Sequence, residues 1–482
     1  MFYLKKIITN IKFILFNVIL FMIFSCQKED QPNIILIMTD DQGWGDVSYN
    51  NHPYLHTPNL DEMAKSGAVF TRFYSASPVC SPTRASVITG RHPERMGICG
   101  ANCGHIIDKE ITIAEMVKKK GYRTGFFGKW HLGTLSLDFL DANRGGKKEN
   151  KIHYAPPWNH GFDVSFATES KVPTWDPMIT PNKSAGDVKS SLIEGEFFGT
   201  SYWTGPGNRV NQNLNGDDSK IIMDRVIPFI EESVSQKQNF LSIIWFHAPH
   251  LPVLTGKKYK SMYSELSEDQ QHYYGVVSAL DKQVGRLRKK LKNLGISENT
   301  LIFYTSDNGP ETSLEVRNEN IPFARAQGLT NGLRGRKRSL YEGGIRVPGI
   351  VEWPSKIQAG TQVDVPCFTS DYFPTIASVI GIDLQEYQRP YDGENLMTYL
   401  SNKKLKRIKP LTFKYKKQFA VIDNDFKLYG VSGEILQLYN LKKDFGEKKD
   451  ISKTNPNKLN ALKILYNDWN LSVEKSNIGT DY

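Results

Sequence analysis

Cysteine is scarce in this chain. Five occur among 482 residues, an odd number, which excludes a scaffold built on disulfides. No histidine pattern accompanies Cys99 and Cys103, so a zinc-finger reading is excluded as well. The stretch Cys99-Gly-Ala-Asn-Cys103 either closes a tight loop outside the cytosol or holds free thiols. Neither an internal repeat nor a low-complexity run is present, which sets aside solenoids and disordered tails. Long apolar runs are lacking too: Phe13 to Phe24 falls short of the ~20 residues of a comfortable membrane-spanning helix. Acid is the minor charge, 51 Asp and Glu against 61 Lys and Arg, a formal balance of +10. Such a surplus suits a polyanionic partner but does not name one.

What is present begins with an export signal. Lys5, Lys6 and Lys12 precede the apolar run, which ends at Ser25-Cys26: a basic start, a short apolar middle and a small residue before the cut. Losing residues 1–25 removes three lysines and no acid, taking the charge from +10 to +7. Ser25-Cys26 resembles a bacterial lipobox, whose cysteine is acylated and becomes the new N-terminus. Phe24 departs from the small residue usual there, and an ordinary signal peptide is the alternative. Gln27-Lys28-Glu29-Asp30 resembles a lipoprotein surface-export signal. The expectation is lipidation at Cys26 and an outer-membrane lipoprotein facing outward, with a periplasmic protein as the alternative.

The length fits one large α/β domain and a smaller one. Asn33 to Thr39 is continuously apolar and β-branched, the pattern of a strand covered on both faces. A capped helix starts at Thr57-Pro58 and closes at Gly67, and Val69 to Tyr74 reads as a short strand. Strand and helix then alternate: helices over Arg84–Gly90 and Thr112–Lys120, a strand over Arg123–Phe127, a helix over Asp218–Ser233, a strand over Phe240–Phe246, a long helix over Asp269–Leu294, and strands over Leu301–Thr305 and Val347–Trp353. Residues 134–215 interrupt this order with a Gly-, Pro-, Asn- and Trp-rich insertion of weak periodicity, the profile of a substrate wall or lid. Past residue 385 come four short strands and an amphipathic helix over Leu459–Val473. The expected architecture is a large, mostly parallel or mixed sheet flanked by helices (26–385), followed by an antiparallel-sheet-plus-helix subdomain (386–482).

Polar residues collect just past the strand ends, where open α/β sheets bind ligands. Asp40-Asp41 follows one strand and Asp307-Asn308 another. Four oxygen donors suit Ca²⁺ or Mg²⁺ rather than zinc or copper if the strands are neighbours. Read singly, each pair is an ordinary turn former. Cys80 stands before a helix whose early Pro82 needs no N–H partner, and a helix N-terminus welcomes an anion. A lone cysteine there is otherwise a packed core residue. Lys129 and His131 occupy Gly-Lys-Trp-His, and Lys337 lies in the basic run Arg334 to Arg338, which by itself reads as a solvated loop. His250 follows another strand and could protonate a leaving alkoxide. His247 either lines the pocket or caps that strand.

Taken in order, Thr39-Asp40-Asp41-Gln42-Gly43-Trp44-Gly45-Asp46, Cys80-Ser81-Pro82-Thr83-Arg84, Gly128-Lys129-Trp130-His131, Ser306-Asp307-Asn308-Gly309 and Tyr341-Glu342-Gly343-Gly344 resemble the blocks of the type I sulfatases of the alkaline phosphatase superfamily. The resemblance implies that Cys80 is oxidised to formylglycine by a maturation enzyme and joins Asp40, Asp41, Asp307 and Asn308 around Ca²⁺. It implies that Lys337 and His250 bind the sulfate and protonate the leaving oxygen. His131 would act as base in releasing sulfate, and Lys129 and Arg84 would position the nucleophile. The expected substrate is a sulfated polysaccharide or oligosaccharide, with Trp44, Trp130, Trp175 and Trp203 as candidates to stack on sugar faces. Nucleic acid is not an expected partner. The rivals are a phosphodiester or phosphonate monoester hydrolase of the same superfamily and a non-catalytic glycan-binding surface lipoprotein.

Overall fold

Residues 31–311, 325–402, 405–432 and 435–481 are described by the computed structural model. The expected signal segment and Cys26 lie outside them. The apolar run forms β1 (Asn33–Thr39), paired with a parallel strand on each edge and buried on both faces between two cores. Its side chains alternate between two cores. Ile34, Leu36 and Met38 enter one, and Ile35 and Ile37 the other.

The remaining strands of the large sheet are β2 (Ala68–Phe70), β4 (Arg123–Lys129), β5 (Val164–Thr168), β6 (Phe240–Trp245), β7 (Thr300–Ser306), β9 (Gly349–Glu352) and β10 (Thr361–Val363). A separate three-stranded sheet holds β3 (Phe73–Tyr74), β8 (Arg346–Val347) and β11 (Cys367–Phe368). The eight-stranded order is β10-β2-β9-β7-β1-β6-β4-β5. From β7 to β5 the strands run parallel, while β9 runs antiparallel to both β7 and β2. The sheet is therefore mixed, and its five-stranded parallel part aims every C-terminal strand end at one edge.

Several features differ from the expectations drawn from the sequence; the expected strand 347–353 is divided between β8 and β9 in the two sheets. The run 69–74 is two strands in two sheets. The chain breaks at Arg72, whose guanidinium turns to bond the carbonyls of Asp364 and Asn424. Region 134–215 is not all loop, since β5 lies within it and completes the sheet edge beside β4. The helix at the cysteine starts earlier than Arg84. It spans Cys80–Thr89, is buried throughout, and ends at Gly90, whose φ of 70° suits a residue without Cβ.

The C-terminal strands β12 (Leu411–Tyr415), β13 (Gln418–Asp423), β14 (Phe426–Val431) and β15 (Ile435–Asn440) form an antiparallel meander, covered by the helix Pro456–Asn477. One face packs Leu411, Phe413 and Ile422 against Tyr74, Val79, Leu340 and Ile345. Two of these are neighbours of the chemistry in sequence: Val79 precedes Cys80, and Leu340 follows the basic run. The helix Leu396–Ser401 belongs with the large sheet, because Leu396 and Tyr399 enter its core.

Candidate active site

Thr39 of β1 pairs in register with Ser306 of β7, so the acids that follow each strand emerge side by side. The Asp307 N–H donates to the Thr39 carbonyl at 3.1 Å, and the Asp41 N–H donates to Asp307 Oδ1 at 3.1 Å. Asn308 Nδ2 donates to Asp41 Oδ1 at 2.7 Å. Asp41 takes this position with φ of 64°, a left-handed conformation that costs a non-glycine residue about 1–3 kcal/mol. Gly309 allows the turn to close, since a Cβ there would collide with the Gly343 carbonyl.

Cys80 opens its helix beneath these acids. It is 2% exposed, and its Sγ lies 3.4 Å from Asp40 Oδ1. The other Asp40 oxygen receives Lys129 Nζ at 2.5 Å, brought there as the last residue of β4. Arg84, one helical turn beyond Cys80, donates to the Lys129 carbonyl at 2.8 Å and to Asp307 Oδ2 at 2.6 Å, with its guanidinium over the Trp245 ring. Lys337 reaches Asp41 Oδ1 at 2.6 Å. Its loop is seated by backbone bonds from Lys337 N to the Pro310 carbonyl and from Arg338 N to the Pro78 carbonyl. His250 follows β6 and holds Nε2 3.6 Å from Asp41 Oδ2, while Nδ1 faces the Leu251 carbonyl at 2.5 Å. Asp40, Asp41, Cys80 and His250 thus present ligand atoms within 4.8 Å of one another.

Burial is the largest influence on Lys129 and Lys337 and opposes their charge, but the negative groups around them, led by Asp40 and Asp41 respectively, together hold both ammonium groups above their ordinary range. Burial works against the Asp40 carboxylate too, yet the cations around it, Lys129 first and then Arg84 and Lys337, keep it well below the usual range. Asp307 is pushed up to about 7 by burial and by Asp40. Burial, followed by Asp307 and Asp40, also pushes the Cys80 thiol up, which disfavours a thiolate. His131 and His250 are lowered, chiefly by burial, toward neutral imidazole.

The site fits a hard cation. Its donors are carboxylate and amide oxygens, and Asn308 Oδ1 is buried without a hydrogen-bond partner, as an oxygen reserved for an ion would be.

Other expected residues are placed differently. His247 is buried between Asp218 Oδ2 (2.8 Å) and Thr168 Oγ1 (2.7 Å), tying a helix to β5 and staying out of the pocket. Trp130 and Trp203 are core residues. Trp130 packs among Phe126, Phe162 and Trp245, and Trp203 hydrogen-bonds Asp141. Of the basic run, only Lys337 faces the acids. Arg334 lies over the Tyr341 ring and bonds Tyr439, Arg336 bonds the Glu311 carbonyl, and Arg338 pairs with Glu311. Sequence reasoning missed Asn102, whose Oδ1 lies 3.1 Å from His131 Nε2. The bracketing cysteines, which form a disulfide, were its one signal. It also missed Lys171, whose charge acts on His250 from the insertion.

The family profile described as Sulfatase matches residues 32–382. The chain belongs to the sulfatase family. It is 33% identical over 382 residues to the N-acetylgalactosamine-6-sulfatase of Mus musculus, covering 76% of this chain and 65% of that one. The alignment therefore spans less than two thirds of the mouse relative. Steryl-sulfatase of Homo sapiens is 28% identical over 453 residues, covering 82% of this chain and 74% of its own length. Among solved structures, Ps i-CgsB in complex with k-i-k-neocarrahexaose superposes with a TM-score of 0.76 at 28% identity, covering 92% of this chain and 93% of that one. The family profile covers the strands of the large sheet and ends before the C-terminal meander, while the superposition extends over 92% of the chain.

Proposed function

We propose that this protein hydrolyses sulfate esters of a sulfated polysaccharide or oligosaccharide, with a nucleophile derived from Cys80. The observation that carries the reading is the placement of Cys80 at a buried helix start, 3.4 Å from Asp40, between the acid pairs of two adjacent strands. The relatives support it. Ps i-CgsB was solved with a neocarrahexaose, and the mouse relative is named for a sulfated amino sugar.

Asp40, Asp41, Asp307, Asn308 and residue 80 would hold Ca²⁺, which would draw charge from the sulfate oxygens. As a hydrated formylglycine, residue 80 would offer one hydroxyl to attack sulfur and a second to lose its proton when sulfate leaves. The side chains around it do the rest. Lys337 and Lys129, kept charged by their acids, offset negative charge as the S–O bond stretches. His250 gives its Nδ1–H to the Leu251 carbonyl and turns Nε2 to the site; it protonates the departing sugar oxygen from Nε2 as the imidazolium, the form that Asp40 favours against burial. His131 serves as the base. Arg84 fixes the Lys129 carbonyl and Asp307, so its role is to hold the nucleophile's surroundings in register.

A phosphonate or phosphodiester hydrolase with two metals needs a second Asp/His ligand set. Among the described residues, one group of three or more ligating side chains is close enough to share an ion. A non-catalytic binder would leave Cys80 as a thiol. Export, Cys26 lipidation and an outward-facing outer-membrane location complete the proposal; the Cys99–Cys103 disulfide, a bond that persists outside the cytosol, supports export, and the rest stands on the Ser25-Cys26 and Gln27-Lys28-Glu29-Asp30 sequence.

The test combines sulfate release from defined sulfated oligosaccharides with mass spectrometry of the Cys80 peptide. Formylglycine at residue 80 and release that vanishes in a folded Cys80→Ala variant are expected. A persistent thiol with no release would leave the binder, and faster turnover of a phosphonate would favour the other hydrolase.

A further inference from the structure

His131 is 4% exposed and carries φ of 57°, a left-handed backbone fixed by its N–H donating to the Glu169 carbonyl at 3.1 Å. Its two ring nitrogens are treated unequally. Nε2 lies 3.1 Å from Asn102 Oδ1, whereas Nδ1 is buried with no hydrogen-bond partner. A neutral imidazole has one N–H and one lone pair, and the group bonded to one nitrogen decides which. An amide oxygen can only accept. The Asn143 amide also donates to Asn102 Oδ1, at 3.4 Å, and to Ser170 Oγ at 3.1 Å, so that oxygen has a second donor facing it.

Asn102 is itself fixed in place. It adopts φ of 61° inside the Cys99–Cys103 disulfide, a left-handed position that asparagine tolerates better than most residues. The Cys103 N–H closes the turn on the Gly100 carbonyl at 3.0 Å, and Arg144 Nη1 anchors the next residue through the Gly104 carbonyl at 2.7 Å. A five-residue loop with a covalent clasp is a costly way to present one exposed amide, unless the position of that amide matters.

We propose that Asn102, held by the Cys99–Cys103 loop, is the positioning residue that sets the tautomer of His131: Oδ1 accepts the Nε2–H and leaves Nδ1 as the bare, inward lone pair. That is the form a base needs. The inference builds on the sulfatase reading for its consequence, but the tautomer itself is independent of turnover. Burial, reinforced by Lys129 and Arg84, keeps the ring neutral, so a tautomeric choice exists to be made.

The test uses the full chain labelled with ¹⁵N-histidine, with His131 signals identified by their loss in His131→Gln. The expected spectrum shows a neutral ring protonated at Nε2. Asn102→Gly, which tolerates the left-handed turn, should shift the population toward Nδ1–H, while Asn102→Asp, which keeps an acceptor, should not. A wild-type ring protonated at Nδ1, or an unchanged tautomer in Asn102→Gly, overturns the proposal. In sulfate release, Asn102→Gly should lower kcat about tenfold or more with KM within about twofold, the size of loss typical when an orienting partner is removed. Cys99→Ser/Cys103→Ser should lower kcat in the same direction, and the triple variant should lose no more than Asn102→Gly alone. Additive losses would show that the loop acts elsewhere and overturn its role. If wild type releases no sulfate from any substrate, the sulfatase reading fails and the spectra still decide the tautomer.

Discussion

Lys337 grips Asp41 through both carboxylate oxygens, at 2.6 Å to Oδ1 and 2.7 Å to Oδ2. Asn308 Nδ2 holds the same Oδ1 at 2.7 Å, so this acid is fixed from two sides before any ligand arrives. A buried cation bound to a prospective metal ligand links the ion to the anion that it helps to bind.

Replacing that cation should be expensive for catalysis. Lys337→Ala is expected to lower kcat/KM for sulfate release by about a hundredfold or more, the loss seen when one donor to developing charge is removed. Lys337→Arg should not restore the rate, because a planar fork does not match a point charge seated on one carboxylate. A near-wild-type rate for Lys337→Ala would remove it from the chemistry.

Chelation tests the cation separately. Adding EGTA should lower both sulfate release and the thermal midpoint, and Ca²⁺ should restore both better than Mg²⁺. An ion present at a hundred times its Kd stabilises the native state by about 2.7 kcal/mol, which calorimetry resolves. Asn308→Ala, which deletes the orphaned oxygen, should weaken the Ca²⁺-dependent shift. An unchanged midpoint on chelation would count against the ion.

Much of this site was legible because its residues come directly after the most apolar strands. β1 is read from an unbroken apolar run and β6 and β7 from mostly apolar ones, and the polar residues at the end of each run have to lie at the sheet edge. The rest was hidden by distance and by context. Asn102 meets His131 through a loop whose conformation depends on a disulfide that spacing alone left open. β5 lies in a Gly- and Asn-rich stretch, and its short sequence Val-Ser-Phe-Ala-Thr gains strand character only by pairing with β4. Trp130 and Trp203 show the reverse error, because aromatic content does not say which rings face a sugar and which face one another.

The C-terminal meander has a buried charge at its junction with the active-site loop. Lys427 of β14 is fully buried and pairs with Glu342 at 3.0 Å and Glu447 at 2.9 Å. Glu342 begins the short helix Glu342–Ile345 beside the Lys337 loop. Lys427→Met should cost about 3–5 kcal/mol in denaturant unfolding, since Glu447 would lose its cation and Glu342 would keep only Arg346, at 3.5 Å. Adding Glu342→Gln and Glu447→Gln should recover part of that loss. A single variant as stable as wild type would show that the two acids shed their charge at little cost.

Acid sensitivity should trace to Asp392. Burial alone would raise its carboxyl, but Arg95, bonding it through Nε at 2.8 Å and Nη2 at 2.9 Å, holds it well below the usual carboxylate range. A depressed folded pKa means stability that is present above the unfolded value of about 3.9 and is lost as pH falls through the lower folded value. Asp392→Asn should therefore be less stable at neutral pH and lose less of its remaining stability below about pH 4. Parallel pH–stability curves for the two proteins would contradict this.

All ten residues of the helix Cys80–Thr89 are buried, Pro82 and Arg84 among them. An oxidising enzyme that recognises this stretch has to bind it as an extended peptide, which the finished fold does not offer. Under the proposed oxidation of Cys80, conversion would be a race against folding. A batch folded as the thiol should then stay inert however much maturation enzyme is added later, until it is unfolded and given a second start.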